Sequence, residues 1–121
     1  MKQYKINNAY PILVKIMNFD LPIYKAKEIY LLIKAIEKHY KFALEREKKN
    51  IEDCSGIIQD DGSIKFETPE KTQLFREKSE ELYNMEVSID ISPIHLSYDD
   101  VKEQKLKPID IFNLEDFIVF D

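Results

Sequence analysis

The stretch YKAKEIYLLIKAIEKHYKFALEREKKN, from Tyr24 to Asn50, contains neither glycine nor proline and predicts one long helix. Apolar residues recur along it at spacings of three and four, which places them on one side of that helix. This apolar stripe comprises Ala26, Ile29, Ile33, Ile36, Tyr40 and Ala43. From Pro22 to Asp53 the helix would extend about 48 Å. Because an isolated helix gains little from propensity alone, the stripe must be buried against another segment of the chain or a second copy.

The segment CSGIIQDDGSIKFETPEK follows the long helix and predicts a β-hairpin. Asp61-Gly62 is typical of a hairpin turn, and apolar and polar residues alternate around it. Thr68-Pro69-Glu70 then has the capping hydroxyl, early proline and acidic residue typical of a helix start. This second helix, through KTQLFREKSEELYNM, is suited to lie antiparallel against the first. The hairpin would then form a protruding tip between the two helices.

Two further segments predict a small sheet. In QYKI, Tyr4 and Ile6 lie on one side of an alternating pattern, which indicates a short strand. A short helix is expected after it, with Pro11 near its first turn. Residues 87–92, VSIDIS, have the clearest strand pattern in the chain, and Pro93 would end that strand or mark a sheet edge. We expect these two strands to pair, because an isolated strand leaves its backbone groups unpaired.

The C-terminal part predicts short helices. Ser97 and Asp100 have capping-box spacing before YDDVKEQ. The segment KPIDIFNLEDFIVF starts after a proline and is expected to form a buried helix, although FIVF alone is also compatible with a strand. The expected fold is therefore a single α+β domain over residues 1–121, with an antiparallel helix pair, a β-hairpin at its tip, a small sheet and short C-terminal helices.

Composition and charge limit the classes of function. No stretch of about 18 apolar residues is present, no signal-peptide pattern opens the chain, and the single Cys54 suits a reducing cytoplasm. The net charge is −5, and residues 80–121 contain 11 acidic and 3 basic side chains, which is −8 for that part. We therefore expect neither a membrane nor a nucleic acid as direct partner, whereas a basic protein surface is compatible with the acidic part.

The residues that could support catalysis or metal binding do not form a recognisable motif. His39 and His95 lie in different predicted elements without ligand spacing, and acidic neighbours of Cys54 oppose formation of a thiolate. Asp60-Asp61-Gly62 lacks the alternating oxygen ligands of a calcium loop. Adjacent acids such as Asp99-Asp100 are explained by a helix start. We expect no cofactor and no metal.

Three functional hypotheses remain. The first is an interaction protein, whose long helix and tip contact a protein partner or a second copy. The second is an inhibitor that presents an acidic surface to a host protein such as a component of a defence system, and the third is an enzyme without a recognised motif. The candidate interaction residues are Ile29, Ile33, Ile36, Tyr40, Ala43, Asp60, Asp61, Asp99 and Asp100.

Several segments occur in an order that resembles a family of small uncharacterised proteins encoded by tailed phages and prophages of Gram-positive bacteria. They are KINNAY, LPIYKAKEI, DDGSIKFETPE, SEELYNMEVSIDISPI and LKPIDIFNLEDFI, which together span nearly the whole chain. Tyr10-Pro11 departs from the pattern of that family. The resemblance implies a phage or prophage setting, with a location in the host cytoplasm or in the virion. It implies no activity and no catalytic residue.

Overall fold

A computed structural model describes all residues from Met1 to Asp121. The chain forms an α+β fold with five helices and two two-stranded sheets. The elements are α1 (Gln3–Ile16), α2 (Ile23–Asp53), β1 (Ile57–Ile58), β2 (Ile64–Lys65), α3 (Pro69–Tyr83), β3 (Ile94–Leu96), α4 (Tyr98–Val101), α5 (Pro108–Leu114) and β4 (Ile118–Phe120).

The main core forms where α1 packs against the first half of α2. Fifteen buried apolar side chains make up this cluster, and none of them lies between residues 37 and 86. The apolar stripe of α2 enters the core through Ile29, Ile33 and Ile36, together with Leu32. The helix α1, the segment around Val87, the β3–β4 sheet and α5 supply the opposite walls.

The N-terminal strand predicted for Tyr4 and Ile6 is wrong, because these residues belong to α1. Buried positions recur from Gln3 through Ile6, Ala9 and Leu13 to Ile16, which is a helical spacing. The helical spacing of buried residues extends over four turns and determines the structure of this segment. The alternation of Tyr4 and Ile6 at its start is too short to do so. Pro11 lies inside this helix rather than in its first turn. Its exposed position keeps the ring in solvent, although its missing N–H leaves one helical hydrogen bond unformed.

The chain between α2 and α3 reverses through β1 and β2. These strands pair antiparallel, with Ile57 opposite Lys65 and Ile58 opposite Ile64. Thr68 caps α3, because its side-chain oxygen accepts a hydrogen bond from the Lys71 N–H at 3.2 Å. The helix α3 then runs back along α2.

Residues 87–92 do not form the predicted strand. Burial does alternate there, because Val87 is buried, Ile89 and Ile91 are half-buried, and the residues between them are exposed. The expected partner strand is absent, since its residues are part of α1. One isolated antiparallel bridge, Lys2 to Glu86, joins the N-terminus to the start of this segment.

The C-terminal segment forms a helix and then a strand. The prediction of a buried helix is wrong, because Leu114 is the only buried residue of α5, and Ile109 and Phe112 face solvent with no element packed over them. The helix α5 ends at Leu114, and β4 follows and pairs parallel to β3, with Ile94 opposite Ile118. The predicted capping box of α4 is present: the Asp100 carboxylate accepts from the Ser97 N–H at 2.9 Å, and Ser97 Oγ accepts from the Asp100 N–H at 3.2 Å. The helix it starts ends at Val101 and so is shorter than expected.

Candidate functional site

The apolar stripe, predicted as an interaction surface, lies largely inside the chain. Ile29, Ile33, Ile36 and Ala43 are at most 6% exposed, so they cannot contact a partner in this fold. Tyr40 is half-buried, and its ring stacks on Tyr10 of α1 with 4.1 Å between ring centroids. The stripe is therefore an intramolecular packing surface. The sequence pattern left open whether this chain or a second copy covers it, and α1 decides the question.

The acidic residues predicted as contacts divide into two groups. Asp100 is occupied in the capping box of α4, and Asp99 is an exposed residue in the first turn of the same helix. A helix start explains both of them. Asp60 and Asp61, in contrast, are exposed in the turn of the hairpin between β1 and β2.

The hairpin turn is organised by Asp61. Its Oδ1 accepts hydrogen bonds from the Ser63 hydroxyl at 2.6 Å and from the Ser63 N–H at 2.9 Å. These bonds, the one from the side chain first, hold the pKa of the Asp61 carboxyl below its usual value. Gly62 follows with φ of +87°, a conformation that glycine adopts without strain. Asp61 thus shapes the turn, and Asp60 is free to contact another molecule.

The hairpin exposes an apolar surface in a segment whose charged residues are mainly acidic. Ile57 and Ile58 are 62% and 63% exposed, although isoleucine is among the residues most often buried. We call residues 51–64 the tip. Its charged side chains are Glu52, Asp53, Asp60 and Asp61, and the residue that follows it, the exposed Lys65, lies directly opposite Ile57 in the hairpin. The tip therefore combines two exposed isoleucines with four negative charges.

The tip is held firmly on the two helices that support it. Gly56 lies so close to Ile51, Ile64 and Phe66 that an added Cβ would approach each of them to 3.0 Å or less. The Phe66 and Phe75 rings pack at 5.1 Å between centroids and join the base of the hairpin to α3. A tip fixed in this way loses little conformational entropy when it binds.

A second unusual surface is the segment from Val87 to Pro93, which we call the edge segment. The Val87 N–H donates to the Met1 carbonyl at 2.7 Å, and the Gln3 N–H donates to the Met85 carbonyl at 2.9 Å. Beyond Val87, no backbone group of residues 88–93 takes part in a backbone–backbone hydrogen bond. The edge segment thus has the alternating burial of a strand without the pairing of one.

The other chemically versatile side chains are dispersed. His95 Nδ1 lies 3.0 Å from Asp121 Oδ2 at the exposed β3–β4 sheet, whereas His39 lies on α2, where burial and then the charge of Lys38 lower its pKa. Cys54 is a free, buried thiol just after α2. No group of three or more His, Cys, Asp or Glu side chains is arranged to hold a metal ion. These residues therefore do not define a common site.

No protein-family model matches this sequence, and no curated protein or solved structure is detectably similar to it. None of its helices combines the length and the apolar character that crossing a membrane requires.

Sequence reasoning missed both surfaces in part. The turn at Asp61-Gly62 indicated the hairpin, but the exposure of Ile57 and Ile58 depends on the absence of any element packed over them. The alternation of residues 87–92 correctly indicated which of these residues are buried. The partner strand predicted for them, at Tyr4 and Ile6, was wrong. In each case the missing information is which other segment covers the residue, and that is a property of the tertiary structure.

Proposed function

We propose that this chain is a non-catalytic interaction protein that binds another protein through its tip. The observation that carries the proposal is the exposure of Ile57 and Ile58 at the end of the helix pair α2 and α3. Exposed apolar residues rimmed by charged groups are typical of protein-binding surfaces. The setting is a phage or prophage, as the family resemblance implies.

The partner is a protein with an apolar pocket rimmed by basic side chains. The pocket accepts Ile57 and Ile58, and the basic rim complements the four acidic residues of the tip, which outnumber the single basic neighbour, Lys65. Such a rim is common on proteins that bind nucleic acids. This chemistry favours the role of an inhibitor of a host protein, such as a component of a defence system, over a role in virion assembly.

The proposal is tested by site-specific photocrosslinking in a Gram-positive host. A photoreactive phenylalanine analogue replaces Ile58 in one version and the exposed Lys27 of α2 in a control version. The proposal predicts one discrete adduct from position 58, with a mass different from that of a dimer of this chain, and no such adduct from position 27. Absence of an adduct, or the same adducts from both positions, would refute it.

Two variants specify the chemistry of the contact. Ile57→Ser, beside the crosslinker, is expected to reduce the adduct yield because it removes apolar area from the interface. Asp60→Asn is expected to reduce the yield more at low salt than at high salt, because screening weakens the contribution of the carboxylate. An adduct with the mass of a dimer would instead identify a second copy as the occupant and refute the basic-rimmed partner.

A further inference from the structure

We propose that the edge segment binds an extended, basic peptide of another protein by β-strand addition, independently of the tip. The starting observation is that residues 87–92 have the alternating burial of a strand but no neighbouring strand to pair with. Strands that lack a neighbour present free N–H and C=O groups, and these are a template for a strand from another chain.

Residues 88–93 lack backbone partners on both edges, and the bonds to the N-terminus mark the edge that we propose the incoming strand extends. In a strand, the N–H and C=O of alternate residues point to the same edge. The Val87 N–H donates to the Met1 carbonyl, and the Met1 amine donates to the Val87 carbonyl at 3.3 Å. The same edge therefore continues with the backbone groups of Ile89 and Ile91, which have no partner within the chain. Ile89 and Ile91, with free N–H and C=O groups, thus extend an edge on which Val87 is already bonded to Met1.

Space is available for a strand beside this segment. A groove of about 520 Å³ is bounded by Met1 and by the residues from Glu86 to Asp90. A second groove, of about 340 Å³, lies between α2 and the end of the segment, where Leu31, Leu32 and Pro93 form part of its wall. The first groove accommodates the backbone of an incoming strand, and the second accepts an apolar side chain.

The charge of the two grooves specifies the ligand. Their charged residues are Glu28, Glu86 and Asp90, and no lysine or arginine lines either groove. Glu86 pairs with the N-terminal amine at 3.1 Å, whereas Glu28 and Asp90 form no ion pair. A peptide in which basic and apolar residues alternate complements this surface.

A second copy of the same segment fits this edge poorly. On this edge, Val87 is already paired and Pro93 has no N–H to donate. Two copies can therefore use the free backbone groups of both Ile89 and Ile91 in only one antiparallel register, in which Ile89 of each copy lies opposite Ile91 of the other. In that register the two Asp90 side chains lie directly opposite each other at the close, non-hydrogen-bonded position. Like charges at that position destabilise the pair. The edge therefore favours a basic partner over itself.

The test measures binding of a fluorescein-labelled hexapeptide, with alternating lysine and valine, to the full chain by fluorescence anisotropy. We expect saturable binding, together with slowed hydrogen exchange of the Ile89 and Ile91 amides. The same peptide with glutamate in place of lysine should not bind. Absence of saturable binding by the lysine peptide, or equal binding of both peptides, would overturn the proposal.

Proline substitutions distinguish the two edges. Ile89→Pro removes an N–H on the edge that continues from Met1 and should weaken peptide binding about tenfold, the effect of one lost hydrogen bond. Ser88→Pro is the matched control, because its N–H points to the opposite edge, and it should leave affinity unchanged. Equal loss in both variants would contradict the edge assignment. Circular dichroism verifies that each variant is folded. If Ile89→Pro unfolds, Ile91→Pro replaces it, because the N–H of Ile91 lies on the same edge as that of Ile89.

Two controls separate this binding from other events. Asp90→Asn should weaken the lysine peptide and reduce the salt dependence of its binding, which follows from loss of a complementary charge. Sedimentation of the peptide-free chain should show no dimer that depends on Ile89. A dimer that is abolished by Ile89→Pro would show that the edge segment binds a second copy of the chain, which would overturn the proposal of a basic peptide. The tip can fail its crosslinking test while the edge segment binds peptide, and the converse also holds, so the two proposals fail separately.

Discussion

The two halves of α2 have different surroundings. The first half lies in the main core and supplies Ile29, Leu32, Ile33 and Ile36 to it. The second half belongs to what we call the arm, residues 43–85, which also comprises the hairpin and α3. In the arm only Ala43, Asn50, Cys54 and Leu82 are buried. One continuous helix thus connects a densely packed region to a thin one.

This difference shows which interactions stabilise each region. The core depends on apolar burial, whereas the arm also uses specific contacts between individual side chains. One such contact is the hydrogen bond of 2.6 Å that the Tyr83 hydroxyl of α3 donates to Glu47 Oε2 of α2. Burial, followed by this bond, raises the pKa of Tyr83 above its usual value. A two-layer arm can therefore present the tip well away from the core without a large core of its own.

The largest expected effect tests the core. Ile36→Ala removes a side chain that is 0% exposed and should lower the free energy of unfolding by about 2–5 kcal/mol, as transfer and cavity terms add. Ile58→Ala makes the same chemical change at the tip, where the side chain is 63% exposed, and should change stability by less than about 0.5 kcal/mol. Urea denaturation monitored by circular dichroism measures both, and similar losses would remove the contrast between the two regions.

The next effect tests how tightly the tip is held on the arm. Gly56→Ala places a methyl group 2.8 Å from Phe66 Cε1 and 2.9 Å from Ile64 Cγ2, so the hairpin must shift. We expect a cost of about 1–3 kcal/mol from overpacking. Hydrogen exchange should increase in the hairpin and remain slow in α1. An unchanged exchange pattern would show that the hairpin is not packed at Gly56.

A smaller effect tests the polar contact of the arm. Tyr83→Phe removes the hydrogen bond to Glu47 and should cost about 1 kcal/mol of unfolding free energy. Tyr30→Phe is the matched control, because the Tyr30 ring is 51% exposed and its hydroxyl forms no hydrogen bond within the chain. Denaturation of both variants under identical conditions measures the difference, and equal stabilities would contradict the role of this contact.

The smallest effect concerns pH at the boundary between the two regions, where the Gln3 side chain donates to the His39 carbonyl at 2.9 Å. The folded-state pKa of His39 lies below its ordinary value of 6.5, so the unfolded chain binds the proton first as pH falls. The contribution of His39 to stability is therefore present at neutral pH and lost as pH falls through that value toward the folded-state pKa.

This pH dependence can be isolated by substitution. Denaturation midpoints at pH about 7.5 and about 5.5 should differ more for the wild-type chain than for His39→Gln, because glutamine does not titrate in this range. Other groups titrate equally in both chains, so the comparison cancels them. A wild-type chain with the smaller difference would show that the shift has the opposite sign.

Local periodicity and helix capping carried most of the predictable structure. The spacing of three and four along α2, the start of α3 at Thr68-Pro69 and the capping box at Ser97 are local patterns with local causes, and each appears in the structure. The prediction for Tyr4 and Ile6 failed because two alternating positions cannot be distinguished from the beginning of a helical stripe that continues to Ile16.

The candidate site was less predictable than the fold. Most of the proposed contact residues, Ile29 through Ala43, were selected because they form an apolar stripe, and a stripe of this kind equally describes a core-facing helix. The exposed isoleucines Ile57 and Ile58 and the unpaired residues 88–93, like other exposed apolar residues such as Ile23 at 85%, are recognised only by what is missing next to them. Their neighbours are determined by segments distant in the sequence.

The amino-acid sequence alone determined where α2 and α3 run, which side of α2 is apolar and which residues of the edge segment alternate, because backbone propensity, capping and periodicity act over a few neighbouring residues. Only the tertiary structure decided that α1 covers the apolar stripe, that the edge segment has no strand beside it and that the hairpin isoleucines face solvent. The physical reason is that burial and strand pairing depend on contacts between distant segments, and a local pattern does not specify its partner.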